Sequence, residues 1–223
     1  MKVGVFGGAF NPIHVGHLVV ARDVAEACGL DKVIFVVAAR PPHKNGEILI
    51  DAESRYAMAA LACEGIPGFE VSDAELTREG PSYTVDTMRH FTRRYPGAAF
   101  ILGQDAMEDI ASWKSAALLL KTCDFIVVTR PGHDDDALID VLQSTLSVSY
   151  KNLKLVDKTL PEEPVTTIGV VGAPTAIRLV RATPLDVSST AIRERISAGR
   201  PITWLTPPAV ERYLIDNHIL RNA

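Results

Sequence analysis

The stretch VGVFGGAFNPIHVGH, residues 3–17, decides how the rest of the chain is read. Val3 to Phe6 form a short apolar run of the kind a buried strand needs. Gly7, Gly8 and Pro12 follow at once, so the chain leaves that strand through a tight turn with close backbone approach. Apolar residues then return at Leu18, Ala21, Val24 and Ala25, which is a helical period, so a helix starts near Val15 or Gly16. Strand, loop and helix in this order begin a βαβ unit.

The remainder repeats the theme. Strand-like runs recur at 33–37, 69–72, 99–102, 125–129 and 167–171, with a weaker one at 178–180. Helical patterns cover 17–28, 51–63, 84–95, 116–121 and 135–146, and two more at 189–198 and 207–217 close the chain. Such alternation predicts a Rossmann-like, doubly wound α/β fold, a mainly parallel sheet with helices on both faces. A single domain spans 1–223, with a small helical portion from about 188. Residues 131–164 are more polar and less regular, and read as an insertion or flexible arm rather than a domain.

A chain of 223 residues can bury a core without disulfides or a structural metal. Apolar content of 47% and charged content of 22% are ordinary for a soluble protein. The net charge of −4 argues against a broadly basic nucleic-acid surface but leaves room for a local positive pocket. No apolar run is long enough to span a bilayer and no leader is evident, so the expected compartment is the cytoplasm, with no membrane partner. Cys28, Cys63 and Cys123 are odd in number and widely spaced, which predicts buried structural thiols rather than disulfides or a zinc site. A homo-oligomer is left open.

In open parallel sheets, ligands bind beyond the carboxyl ends of the strands. Residues 7–17 follow the first strand and so lie on that edge. His14 precedes the helix and His17 sits in its first turn, a spacing that turns both imidazoles to one side. Unpaired N–H groups and the positive end of the dipole point there too, making an anion site with two added donors. The alternatives are a pair of helix caps, or a zinc site for which no Cys, Asp or Glu stands at a suitable local spacing. Neither Gly-x-Gly-x-x-Gly nor Gly-x-x-x-x-Gly-Lys-Ser/Thr is present. A second segment, VSSTAIRERI at 187–196, offers Ser188 as an N-cap, the hydroxyls of Ser189 and Thr190, and Arg193 on their face. Together these suit a polyphosphate, the alternative being a capped surface helix.

These His-x-Gly-His and Ser-Ser-Thr-x-x-Arg motifs resemble those of the nucleotidylyltransferase superfamily. The ordered set PPHK (41–44), PSYTVDT (81–87), ILGQDAMEDIASWK (101–114), VVTRPG (127–132) and WLTPPAVERYL (204–214) is similar, almost end to end, to the bacterial nicotinate-nucleotide adenylyltransferase family. The resemblance implies an enzyme of NAD biosynthesis. It would transfer the adenylyl group of ATP to nicotinate mononucleotide, giving nicotinate adenine dinucleotide (deamido-NAD) and pyrophosphate. It implies catalytic roles for His14, His17 and Arg193. ATP contacts would come from Gly7, Gly8, Ala9, Phe10, His14, His17, Gly103, Asp105, Ser188, Ser189, Thr190 and Arg193. Mononucleotide contacts would come from His43, Lys44, Ser82, Tyr83, Thr84, Trp113, Lys114 and Arg130. Mg²⁺ would arrive with the ATP phosphates rather than in a protein cage.

Some of these residues carry a plainer alternative. Asp105 would accept hydrogen bonds from ribose hydroxyls, or else cap the helix after it. Trp113 would stack on the pyridine ring, or else be a core aromatic. Ala9 replaces a Thr, Ser or Gln of the family, and Asn11 stands where many members have Asp. The attacking phosphate is already an anion at neutral pH, so catalysis would be alignment plus charge stabilisation. Trp113 and PSYT speak against a transferase for pantetheine phosphate or a CTP-dependent one. The intact His14, His17 and Arg193 speak against a catalytically silent nucleotide sensor.

Overall fold

The computed structural model of the chain describes residues 1–41, 49–129, 139–144, 146, 154–160 and 165–219. The apolar runs become β1 (Val3–Gly8), β2 (Lys32–Val37), β3 (Phe69–Ser72), β4 (Ala99–Gly103) and β5 (Asp124–Thr129). Three further strands follow: β6 (Leu155–Asp157), β7 (Thr166–Val170) and β8 (Ala176–Arg181). The helices are α1 (Val15–Cys28), α2 (Ala52–Cys63), α3 (Thr84–Arg94), α4 (Gln104–Glu108) and α5 (Ala116–Thr122), then a helical segment at 139–144 (α6), α7 (Ser189–Ser197) and α8 (Pro208–Asp216). Local chemistry sets several ends. Asp51 accepts from the Ser54 N–H at 2.7 Å to start α2, and Ser188 accepts from the Ala191 N–H at 3.1 Å to start α7. Gly29, at φ 59°, closes α1 in the left-handed conformation.

Among the described residues one eight-stranded sheet results, in the order β3-β2-β1-β4-β5-β8-β7-β6. From β3 to β8 every pairing is parallel, and β8, β7 and β6 continue as an antiparallel edge. Alternate residues feed two cores. Val5, Ile34, Phe100 and Phe125 face α3 and α5 through Met88, Phe91 and Leu119. Phe6, Phe35, Ile101 and Ile126 face α1, α2 and α8 through Val24, Met58 and Leu214. Both faces are covered, which is why the strands read as near-continuous apolar runs.

Within 131–164, the described residues depart from the expectation of a flexible arm. Among those described, Leu142 and Leu146 are fully buried in the first core, and β6 joins the sheet. Cys63 and Cys123 are buried, and burial pushes both thiols up to about 12, whereas Cys28 is half-buried rather than buried. Among the described residues no helix is long and apolar enough to cross a membrane.

The order in which strands are added reverses at β1: β2 lies on one side of it and β4 on the other, all three running parallel. The segments leaving β1 and β4 therefore diverge, and a crevice opens between them at the carboxyl edge of the sheet.

Candidate active site

A cleft of about 800 Å³ occupies that crevice. His14, Gly16 and His17 wall it from the β1 side, Gly103, Gln104 and Asp105 from the β4 side, and Ser188 and Ser189 from the start of α7. The two segments expected to handle phosphate thus share one cleft. Hydrogen bonds tie them together: Ser189 Oγ donates to the Pro12 carbonyl at 2.9 Å, and Arg193 Nη1 donates to the Asn11 carbonyl at 2.9 Å.

The imidazoles are stacked, with centroids 3.8 Å apart and planes 31° from parallel. The backbone N–H of His14 donates to His17 Nδ1 at 3.2 Å, which places the proton of a neutral His17 ring on Nε2. Burial lowers His14 to about 4, and burial together with the neighbouring His14 lowers His17 well below the usual range. Both rings are therefore neutral donors at pH 7, not imidazolium ions. His14 Nδ1 is buried without a hydrogen-bond partner. Gly16 has a packing reason: a Cβ there would stand 2.9 Å from Val187 Cγ1 and 3.0 Å from His14 Nδ1. Phe10 braces His17 edge-on, with ring centroids 5.0 Å apart.

Several local expectations are revised. Gly7 and Gly8 do not make the turn. They are the last residues of β1, opposite Val36 and Val37, and their missing side chains make room for the rings of Phe100 and Phe10. The turn falls at Asn11 and Pro12 and is entered through Phe10, whose φ is 45°. The first turn of α1 offers fewer free N–H groups than its sequence suggests, because Val15 N–H donates to the Leu205 carbonyl and His17 N–H to the His14 carbonyl. Asp105 is not the N-cap of α4; Gly103 is, and Asp105 lies exposed in the first turn.

Of the expected ATP set, His14, His17, Gly103, Asp105, Ser188 and Ser189 line the cleft. Gly7, Gly8, Ala9, Phe10, Thr190 and Arg193 are not on its walls. Arg193 is engaged behind it, donating also to Thr190 Oγ1 at 3.2 Å. Of the mononucleotide set, Ser82, Tyr83 and Thr84 lead into α3, and Lys114 lies 4.1 Å over the Tyr83 ring and 3.5 Å from Asp86. Trp113 is half-buried, edge-on to Phe100 with centroids 6.1 Å apart. These residues form a group apart from the cleft. His43, Lys44 and Arg130 lie outside the described residues.

Sequence reasoning gave no role to Arg55, which is 1% exposed and binds the loop before the histidines. Its signal was an arginine amid the alanines and methionine of α2. Asn11, noted for its missing charge, uses its amide instead: Oδ1 accepts from the buried Ile50 N–H at 2.9 Å.

Residues 5–195 match the model of the cytidylyltransferase-like family. A probable nicotinate-nucleotide adenylyltransferase of Thermoanaerobacter sp. (strain X514) is 41% identical over 217 residues, covering 96% of this chain and 92% of that one. Another, of Moorella thermoacetica, is 40% identical over 223 residues, covering 99% and 92%. The fold is also that of Plasmodium falciparum nicotinic acid mononucleotide adenylyltransferase complexed with NaAD. That likeness has a TM-score of 0.68 at 17% identity and covers 98% of this chain and 97% of the other.

Proposed function

This chain belongs to the cytidylyltransferase-like family, and within it to the nicotinate-nucleotide adenylyltransferases, and from that premise we propose the reaction it runs. It transfers the adenylyl group of ATP to nicotinate mononucleotide, forming nicotinate adenine dinucleotide and pyrophosphate on the route to NAD. The observation that carries this reading is the single cleft shared by the histidine pair and the start of α7, segments bonded across 177 residues of sequence.

The residue roles follow from charge and geometry. The acceptor phosphate attacks the α-phosphorus of ATP while the bond to the pyrophosphate oxygen breaks. The cleft must align the two groups and stabilise the charge that moves to the leaving group. His17, with its proton on Nε2, donates to the α-phosphate or the bridging oxygen, and His14 lies stacked beside it. Ser188, Ser189 and the positive end of α7 receive the β- and γ-phosphates. Arg193 holds α7 against the Asn11 carbonyl and adds its charge from behind. Asp105, exposed at the rim after β4, accepts from the ribose hydroxyls. Ser82, Tyr83 and Thr84 at the entrance to α3 offer N–H groups to the nicotinate carboxylate, with Trp113 and Lys114 beside them. His43, Lys44 and Arg130 meet the mononucleotide phosphate.

A divalent ion accompanies ATP in enzymes of this kind, and we assign Mg²⁺. Among the described residues no group of three or more His, Cys, Asp or Glu is placed to hold a metal. The ion would be carried on the triphosphate and its waters, as part of the substrate.

The test is pyrophosphate release from ATP with three acceptors offered separately: nicotinate mononucleotide, nicotinamide mononucleotide and phosphopantetheine. Release with the first and little with the others is expected. Preference for phosphopantetheine, or no release with any, would overturn the reading.

A further inference from the structure

Among the described residues Arg55 is the largest fully buried side chain, and its guanidinium spends its donors on backbone carbonyls. Nε donates to Ile50 at 2.7 Å, Nη1 to Ala9 and to Ala38 at 2.7 Å each, and Nη2 more weakly to Ala39 at 3.4 Å. These carbonyls belong to three separate segments: the loop after β1, the loop after β2, and the approach to α2. A rigid fork of five donors matches such a set, which a lysine ammonium would not.

Gripping a carbonyl also aims the N–H across the same peptide plane, because the two point in opposite directions. Opposite the Ala39 carbonyl stands the Arg40 N–H, which donates to Ser82 Oγ at 3.1 Å, and the Ser82 N–H returns to the Arg40 carbonyl at 3.0 Å. Ser82 leads into α3. Opposite the Ala9 carbonyl stands the amide of Phe10, a bulky residue at φ 45°, a conformation that persists only where its surroundings enforce it. The Phe10 ring then braces His17.

We infer that Arg55 is a positioning residue. It sets the loop carrying the imidazole pair and the loop bonded to the α3 entrance in one fixed register, so that the two substrates meet in line. The inference deepens the proposed reaction and rests on it. Arg55 itself touches neither substrate.

The test uses the full chain with Arg55→Lys, which keeps the charge and the helix but not the fork. A misplacement on the ångström scale costs about 100-fold in rate, so kcat/KM for nicotinate mononucleotide should fall by about that factor, chiefly in kcat, with cooperative melting retained. A merely structural Arg55 would lower the melting temperature and leave kcat and both KM values unchanged below it. Constants within twofold of the unsubstituted protein would overturn the proposal. Should Arg55→Lys fail to fold, hydrogen exchange of the Arg55 Nε–H in the unsubstituted protein decides. An opening that frees Arg55 also dismantles the ATP site, so ATP at 100 times its Kd should slow that exchange about 100-fold. Exchange unaltered by ATP would sink the idea. The ATP measurement needs no turnover, so absence of pyrophosphate release from the unsubstituted protein would count against the reaction and not against Arg55.

Discussion

Acidifying the protein from pH 7 to pH 4.5 should cost roughly 2–3 kcal/mol of stability through His14 alone, worked from a folded value of about 4 against about 6.5 unfolded. The ring is 7% exposed, its Nδ1 has no partner, and it lies stacked on a second neutral imidazole. Burial is the cause of the shift. The unfolded chain therefore binds a proton at His14 that the folded chain refuses. The folded state is favoured in full above the unfolded value, and that advantage is lost as the pH falls toward the folded value. His17, depressed for the same reason, adds to the loss. Asp23 and Asp51, held below their ordinary range by hydrogen bonds to Thr183 and Ser54, forfeit their contribution only at lower pH. The window from 7 to 4.5 thus isolates the buried histidines. Urea unfolding at both pH values, for the unsubstituted protein and for His14→Gln, gives the difference directly. The variant should lose about 2–3 kcal/mol less than its parent. Equal losses in the two proteins would refute the claim that His14 is buried as a neutral ring.

Three other outcomes are expected. His17→Ala should lower kcat by about 10²–10³, equivalent to roughly 2.7–4 kcal/mol by analogy with loss of an oxyanion donor, while KM for either substrate changes little; near-normal turnover would remove His17 from the reaction. Trp113→Ala should raise KM for nicotinate mononucleotide and spare that for ATP, since stacking of a base on an aromatic ring is worth about 1–3 kcal/mol; an unchanged KM would return Trp113 to a purely structural role. Gly16→Ala should destabilise by about 1–3 kcal/mol in chemical unfolding, because its methyl group meets Val187 and His14 at 2.9 and 3.0 Å; a neutral result would mean that the stacked rings yield easily.

The strands that build the sheet were legible because both faces of each are buried, so β1, β2, β4 and β5 read as unbroken apolar runs. Helix α7 was legible through Ser188, a residue whose oxygen belongs at a helix start. Strand β6 was not, being three residues long with a half-buried Leu155 followed by exposed Val156 and Asp157, and it takes its conformation from β7 beside it. Helix α4, five residues long, carries no period to detect. The histidine pair was recognised as a unit, but its protonation was not, since depth of burial decides that and spacing does not record it. Arg55 was overlooked for a related reason. A charged residue on a helix signals a solvated face until the carbonyls that surround it are known.

The first loop of the site is completed by the far end of the chain: Pro12 by Ser189, Asn11 by Arg193, and the amide of Val15 by Leu205. During synthesis, then, the amino-terminal half can assemble its sheet on the ribosome without gaining a finished triphosphate cradle. Competence should arrive late and abruptly, when residues 189–205 clear the exit tunnel and latch onto a turn made well before them.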